Sequence, residues 1–179
     1  MNLPKALAAL RHRDFRIYWV GQAVSLVGTW MQQMAQGWVV TGLSKDAFVL
    51  GGLAVAGSLP ILLLSMRAGV MADKMDKRSI LIVTQAGLML LAFAFAALLF
   101  SGRLALWHVF VMAALLGVVT AFDLPAAQAL PPELVDPPDI PNAVALMQQI
   151  FHGARLVGPA VAGVLMARFG NGAAFVGNG

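Results

Sequence analysis

Long stretches without charge are the feature of this sequence that most restricts its fold. Residues 17–43, 47–66 and 79–102 contain no charged side chain, residues 104–122 contain only His108, and residues 142–167 are interrupted only by His152 and Arg155. A membrane helix needs about 20 mainly apolar residues, whereas a membrane β-barrel shows alternating segments of about ten. The runs therefore predict an all-α membrane protein with five transmembrane helices.

Composition indicates that lipid surrounds much of the chain. Its 179 residues are 60% hydrophobic and 11% charged, whereas soluble domains carry about 25% charged residues. The 12 Lys and Arg residues exceed the 8 Asp and Glu residues, but they stand at the ends of apolar runs, so we expect no nucleic-acid partner. Cysteine is absent, which removes disulfides and thiolate metal sites. We expect neither a metal nor another cofactor.

Basic residues predict the orientation of the helices. We place the spans at about 17–43, 47–70, 79–102, 104–124 and 142–168, within a bundle of residues 17–168. Segment 1–16 and the loops after the second and fourth spans then share one side. That side carries Lys5, Arg11, Arg13, Arg16, Arg67, Lys74, Lys77 and Arg78, and the other carries Lys45, Arg103 and Arg168. Since cytoplasmic loops are enriched in Lys and Arg, we expect an integral protein of the plasma (inner) membrane with a cytoplasmic amino terminus.

Polar residues recur at helical spacing in the first span. They are Gln22, Ser25, Thr29, Gln32 and Gln36, at steps of three and four residues, which places them in one stripe. Such a stripe either lines a hydrated pathway or forms hydrogen bonds between helices. Because five polar positions exceed what hydrogen bonding between helices usually requires, we favour the pathway.

The fifth span repeats the pattern with Gln148, His152, Arg155 and Pro159. An arginine in the hydrocarbon region costs at least about 2.5 kcal/mol to insert and needs a partner or water. Asp123, near the cytoplasmic end of the fourth span, is the leading candidate for that partner. Two interpretations remain open: a static ion pair, or a role in handling substrate or protons.

Small residues predict close helix contacts. The pairs Gly52 and Ala56, Ala154 and Gly158, and Pro159 and Gly163 each have the small-xxx-small spacing that lets helix backbones approach. After the fourth span, a proline-rich connection cannot continue the helix. We expect its acidic residues, Glu133, Asp136 and Asp139, to form a solvated loop.

Charge is concentrated between the second and third spans, in the segment DKMDKR at 73–78. Asp73 falls at the carboxyl end of the second helix, where the helix dipole disfavours a carboxylate, so we expect a partner from another element. Asp76 stands at the N-cap position of the third helix and is well placed there. Lys74, Lys77 and Arg78 are expected to hold the turn at the cytoplasmic side, and Gly69 to allow close packing beside it.

Several of these segments resemble one transporter family. G-x-x-A-D-K-x-D-K-R at 69–78 resembles the loop 2–3 signature of the major facilitator superfamily, and GARLVGPAVAG at 153–163 resembles the Gly-Pro motif in the fifth helix of its efflux pumps. FRIYWVGQAVSLVGTWMQQMAQGWVV, LPILLLSMRAGVMADKMDKR, AFDLPAAQAL and PELVDPPDIPNAVAL together resemble the branch of enterobactin-type siderophore exporters and macrolide or multidrug efflux pumps. The resemblance extends from about Phe15 to Phe175.

The resemblance implies roles for the motifs. The aspartate of the loop 2–3 motif, here Asp73, would engage a helix of the other half and latch the outward-facing state, with Gly69, Lys74, Asp76, Lys77 and Arg78 organising the same latch. The Gly-Pro motif, here Gly153, Gly158, Pro159 and Gly163, would tune the packing of the fifth helix and discourage leak. Helices 1 and 4 would line the central cavity. Ala127, where relatives usually carry arginine, and His152, where they often carry asparagine, depart from the pattern.

The family fold has twelve helices in two six-helix halves. The resemblance therefore implies that this chain is an amino-terminal half truncated before helix 6, with residues 169–179 at the start of that helix. Its implied partners are the lipid bilayer, a small-molecule substrate and the missing C-terminal half. We expect the parent protein to export a small amphipathic compound, a drug or a siderophore-like molecule, by proton antiport.

Two alternatives remain. The parent could be an uptake symporter of the same superfamily, or the chain could be a nontransporting membrane subunit or assembly protein. We do not expect an enzyme, because the sequence has no nucleophile elbow and no phosphate-binding Gly-x-x-x-x-Gly-Lys loop.

Overall fold

A computed structural model describes residues 5–43 and 46–169 of the chain. Five long helices carry most of these residues: α1 Arg13–Leu43, α2 Ala47–Lys74, α3 Lys77–Phe100, α4 Leu106–Ala129 and α5 Ile140–Phe169. Short 3-10 helices occupy Lys5–Arg11, Pro131–Leu134 and Pro137–Asp139. No strand occurs within these ranges. The prediction of an all-α fold is confirmed, and residues 170–179, where a sixth helix was expected, lie outside the described part.

Four helices, α2 to α5, are each long and apolar enough to cross a bilayer. α1 is the longest helix, with 31 residues, but it is the one that carries the five-residue polar stripe. The membrane-helix character predicted from the uncharged runs is confirmed for the other four.

The ends of the helices follow from local chemistry. The Asp76 carboxylate accepts hydrogen bonds from the Ser79 backbone N–H at 2.9 Å and from the Ser79 hydroxyl at 2.7 Å, so it caps α3 as predicted. Asp46 caps α2 by accepting from the Phe48 backbone N–H at 2.9 Å. α3 ends at Phe100, and two residues later Gly102 has a φ of +67°, a conformation that glycine adopts without steric cost.

The five helices form two packed groups. In one group α2 packs along α4, and α3 packs on another side of α4; in the other group α1 packs along α5. The tightest approach in the first group joins Gly117 of α4 to the Gly57 backbone of α2, where an added Cβ would overlap the Gly57 carbonyl oxygen. The sequence analysis missed this pair, although glycine in two neighbouring spans was the available signal. Of the predicted small pairs, Gly52 is near contact, since its added Cβ would lie 3.2 Å from the Phe110 ring.

Large apolar side chains cover much of the outer surface. Leu62, Leu63 and Met66 of α2 and Leu156 of α5 are each at least two-thirds exposed. In water such a surface would be a liability, whereas lipid or a second helical bundle can cover it without cost.

Ion pairs gather at one end of the bundle. Arg78 lies 3.4 Å from Asp14 at the start of α1, and Lys77 lies 2.7 Å from Glu133 in the connection between α4 and α5. Asp139 of the same connection contacts the amino-terminal segment through Arg11 at 3.3 Å and His12 at 2.9 Å. Glu133 and Asp136 are exposed, as expected of a solvated acidic loop, but the expectation is wrong for Asp139, because two basic side chains of the amino-terminal segment end beside it.

Candidate functional site

The charged turn between α2 and α3 divides into two parts. Asp76, Lys77 and Arg78 are engaged within the chain, with Ser79, Glu133 and Asp14 respectively. The hydrogen bonds from Ser79, above all from its side chain, hold the pKa of the Asp76 carboxyl below its usual range. The partners of Lys77 and Arg78 thus lie within the described bundle.

Asp73 and Lys74 form the other part. Both are exposed in the last turn of α2, and neither makes a hydrogen bond or ion pair with any residue that the structure describes. Gly69, one turn earlier, has open space where a Cβ would stand. A carboxylate at the negative end of a helix is unfavourable unless a cation pairs with it. No described residue forms such an ion pair with Asp73, so its charge is not balanced by a specific contact within the described bundle.

The polar stripe of α1 is largely engaged inside the bundle. Gln22, Gln32 and Gln36 are buried. Gln22 donates to the Tyr18 hydroxyl at 3.0 Å, and Tyr18 donates to the Ala127 carbonyl oxygen of α4 at 3.0 Å. The Thr29 hydroxyl donates to the carbonyl oxygen of Ser25 at 3.0 Å. Gln22 therefore takes part in hydrogen bonding between helices, the less favoured interpretation of the stripe, only through Tyr18.

A second set of hydrogen bonds joins α1, α3 and α4. The Ser25 hydroxyl donates to the side-chain amide oxygen of Gln85 at 2.8 Å, and the Gln85 side-chain amide nitrogen donates to the Asp123 carboxylate at 3.3 Å. Thr84 donates to the same carboxylate oxygen at 2.6 Å. The sequence analysis missed Thr84 and Gln85, although two adjacent polar residues inside an apolar span were a usable signal. Asp123 is thus held by neutral donors of α3.

A cavity of about 550 Å³ lies between α1 and α3. Tyr18, Gln22 and Ser25 border it on α1, and Leu81 and Gln85 border it on α3. Asp14 and Arg78 stand at its charged end. Part of the α1 stripe therefore combines hydrogen bonding between helices with a position beside open space.

The predicted pairing of Asp123 with Arg155 is wrong. Asp123 binds Thr84 and Gln85, and no carboxylate among residues 5–43 and 46–169 lies within ion-pair distance of Arg155. The reason is the order of packing: α4 lies against α2 and α3, whereas α5 lies against α1. His108 is also remote from this network, because it accepts a hydrogen bond from the Ala105 backbone N–H at the first turn of α4.

Arg155 instead contacts α1. Its guanidinium carbon lies over the Trp30 ring, 5.4 Å from the ring centroid, and the Phe151 ring meets Trp30 edge to face at 5.9 Å. Arg155 itself is exposed, as are Gln148 and His152 on the same side of α5. All three side chains are thus exposed on α5, and Arg155 stands at the edge of the α1–α5 contact, beside Trp30.

The Gly-Pro segment of α5 makes one close contact. A Cβ added to Gly158 would lie 2.5 Å from the Trp30 Cβ and 2.9 Å from the Val27 carbonyl oxygen, so α1 and α5 touch there backbone to backbone. Gly153 and Gly163 have nothing within 4 Å of the corresponding position. The predicted packing role therefore holds for Gly158 with the buried Ala154, whereas Pro159 and Gly163 do not form a second contact of that kind in the described bundle.

Comparison with known proteins agrees with this architecture. Residues 4–179 match the family described as transmembrane secretion effector, a group of major facilitator transporters. The chain is 33% identical over 142 residues to a staphyloferrin A transporter of Staphylococcus aureus, covering 79% of this chain and 36% of the relative. It is 31% identical over 156 residues to macrolide efflux protein A of Streptococcus pyogenes, covering 84% of this chain and 37% of the relative.

The chain spans about a third of the length of these relatives. No solved structure matches it significantly. The helical membrane fold, the family match and the two relatives agree on the same class of protein. This chain belongs to the transmembrane secretion effector family of major facilitator transporters and is an integral membrane protein of the plasma membrane.

Proposed function

We propose that the chain is the amino-terminal half of a secondary exporter that moves a small amphipathic compound out of the cell in exchange for protons. The observation that carries the proposal is the exposed polar face of Gln148, His152 and Arg155, halfway along a membrane-spanning helix. A membrane helix keeps such a face only against water or a second bundle. Secondary transporters place substrate near the bilayer midplane between two such bundles.

A further part of the proposal concerns Asp73, which is exposed in the last turn of α2 and has no ion-pair partner among the described residues. With the amino terminus in the cytoplasm, as the distribution of basic residues predicts, the α2–α3 turn lies at the cytoplasmic rim. We assign Asp73 as the residue that binds the amino end of a helix in the missing half, where a carboxylate is favoured.

Proton exchange is assigned to Asp123. Its carboxylate on α4 accepts hydrogen bonds from Thr84 and Gln85 of α3, and Gln85 in turn accepts one from Ser25 of α1. A change in its protonation alters what the Gln85 amide can donate to, and Gln85 in turn contacts α1. Proton binding at Asp123 is thereby linked to the hydrogen bond between Gln85 and Ser25, which joins the two packed groups of helices.

Transport by the complete gene product in inside-out vesicles tests the proposal. An imposed gradient, acid inside, is expected to drive uptake of an amphipathic dye into the vesicles, and Asp123→Asn is expected to abolish the response to the gradient. Two dyes of opposite charge, ethidium and dansylglycine, cover both kinds of substrate. Movement that ignores the gradient for both dyes would contradict proton antiport, and accumulation in right-side-out vesicles would instead establish an uptake symporter.

A further inference from the structure

We propose that the face of α5 formed by Gln148, His152 and Arg155 binds an amphipathic organic anion, with the Arg155 guanidinium donating to its carboxylate. This inference rests on the proposed transport function and adds to it the charge of the substrate. It concerns Arg155 because Asp123, its predicted acidic partner, is bound to Thr84 and Gln85 instead.

Arg155 stands where a positive charge is least tolerated. It lies halfway along the 30-residue α5, and its side chain is exposed at the edge of the α1 contact. Residues 17–43 of α1 contain no charge, and Arg155 is the only charged residue among residues 142–167 of α5. An arginine at this depth costs at least about 2.5 kcal/mol unless water or an anion meets it.

The described bundle does not neutralise that charge. Asp123, toward the carboxyl end of α4, is bound to Thr84 and Gln85 on α3. Asp73 lies in the last turn of α2, at the rim. The other acidic residues of the described part sit in the turns and connections at helix ends.

The structure nonetheless fixes the position of the guanidinium. Trp30 of α1 lies beneath it at 5.4 Å, a cation–π contact that favours the charged form of the side chain. The contact uses the face of the guanidinium, and Arg155 makes no hydrogen bond to any described residue. Its N–H groups, which lie in the guanidinium plane, remain available as the fork that matches a carboxylate.

The surroundings of Arg155 suit a molecule with an apolar body. Trp30 and Phe151 form an edge-to-face aromatic pair beside it, and Phe151 also contacts the His152 ring at 5.6 Å. His152 is three residues from Arg155 and Gln148 is one turn further, so both present polar groups along the same face. An anion with an aromatic or aliphatic portion would place its carboxylate at Arg155 and its apolar portion against the Trp30 and Phe151 rings.

A carboxylate of the missing half is the competing partner for Arg155. The Trp30 contact favours a ligand, because it holds the guanidinium in place within the α1–α5 group without any carboxylate. A mobile ligand also explains why the neighbouring positions are neutral amide and imidazole groups, which can accommodate different substrates.

Energy transfer from tryptophan to a dansyl probe tests the assignment with purified complete gene product. Dansylglycine carries a carboxylate, and dansylglycinamide is its neutral counterpart of nearly equal size. We expect dansylglycine to bind about tenfold more tightly, a difference of ~1.4 kcal/mol. Arg155→Gln is expected to remove this preference, and Arg155→Lys, which keeps the charge but loses the planar fork, to retain part of it.

Matched controls separate a binding role from a structural one. Arg168→Gln removes an arginine from the last turn of α5 and is expected to leave the preference unchanged. Equal binding of the two probes, failure of both to bind, or a preference that survives in Arg155→Gln would overturn the proposal. A loss of thermal stability in Arg155→Gln without any change in preference would identify a fixed ion pair with the missing half, which also overturns it.

The binding and transport experiments together distinguish failure of the anion site from failure of the transport proposal. Proton-driven export by a protein that does not distinguish the two probes would retain the exporter and reject the anion site. A clear preference for dansylglycine in a protein whose transport ignores the pH gradient would retain the site and reject proton antiport.

Discussion

Two buried glutamines of α1 differ in how their amides are satisfied. Gln36 is 8% exposed, and its Nε2 donates to no group in the described part of the chain. Gln32 is 4% exposed and is engaged with a neighbouring group. A buried donor without an acceptor carries a desolvation cost that no hydrogen bond offsets.

Replacing each glutamine by methionine, which has a similar size, should therefore have opposite effects. We expect Gln36→Met to raise the apparent melting temperature, corresponding to a gain of about 1 kcal/mol, and Gln32→Met to cost about 1–3 kcal/mol because it leaves a partner unsatisfied. Thermal denaturation followed by size-exclusion chromatography in one detergent measures both. An equal loss in the two variants would show that the Gln36 amide finds its acceptor outside the described residues.

Asp76 makes a pH-dependent contribution to the start of α3. Its native pKa is held below the usual value of about 3.9 by the Ser79 hydrogen bonds, the side-chain bond first. A lowered native pKa stabilises the folded state above the unfolded pKa, and this contribution is lost as the pH falls through the native pKa. We expect Asp76→Ala to lower the melting temperature at pH 7, and we expect this loss to shrink as the pH falls through the native pKa of Asp76. The melting temperature of Asp76→Asn, an uncharged cap, should itself lack this pH-dependent contribution.

The sequence predicted the local interactions of single residues better than their contacts with other helices. The role of Asp76 followed from the residues next to it, since an N-cap is a local arrangement, and the structure confirms it. The pairing of Asp123 with Arg155 depended instead on which helices are neighbours. No local rule fixes that order, and α3 supplied Thr84 and Gln85 where an arginine was expected.

At the scale of helices, the contact between α1 and α5 depends on Gly158. We expect Gly158→Ala to destabilise the protein by about 1–3 kcal/mol, the usual cost of overpacking, because the new Cβ meets the Trp30 Cβ and the Val27 carbonyl oxygen. Gly163→Ala is the matched control on the same helix, and it should be neutral or stabilising because its Cβ enters open space and alanine favours helix. Equal melting temperatures for the two variants would contradict the close contact.

Helix existence was readable from the sequence, but helix partners were not. Uncharged runs and flanking basic residues predicted five long helices, because membrane insertion depends on the composition of each segment alone. The pairing of α2 with α4 at Gly57 and Gly117 depends on the shapes of two surfaces far apart in sequence. Of the candidate small pairs, only those that happened to face a neighbour, at Gly52 and at Ala154 and Gly158, became contacts.

At the scale of the whole molecule, the two packed groups meet along a seam of side-chain hydrogen bonds. Ser25 to Gln85 and Tyr18 to Ala127 join α1 to α3 and α4, whereas extensive backbone-to-backbone packing lies within each group. An interface held mainly by side-chain hydrogen bonds can shift with little loss of packing. The exposed face of α5 belongs to the α1–α5 group.

Thiol labelling tests whether that face lines an aqueous cavity in the complete gene product. The 179-residue chain contains no cysteine, so a single substitution introduces the one thiol of this segment. We expect a membrane-impermeant maleimide to label His152→Cys and not Leu90→Cys, an exposed position of α3 at similar depth, because lipid covers the latter. Equal labelling of both positions, or of neither, would argue against a hydrated pathway along α5.

The same labelling reports on the proposed latch at Asp73. If Asp73 holds the outward-facing state through a helix of the missing half, then Asp73→Asn weakens that state and shifts the population toward the inward-facing one. We expect His152→Cys to react several-fold faster from the cytoplasmic side when Asp73→Asn is also present. Asp76→Asn is the matched control: it removes a charge three residues away that is already engaged with Ser79, so the rate should stay unchanged. A rate that rises equally in both variants would assign the effect to the net charge of the turn and not to a specific contact of Asp73.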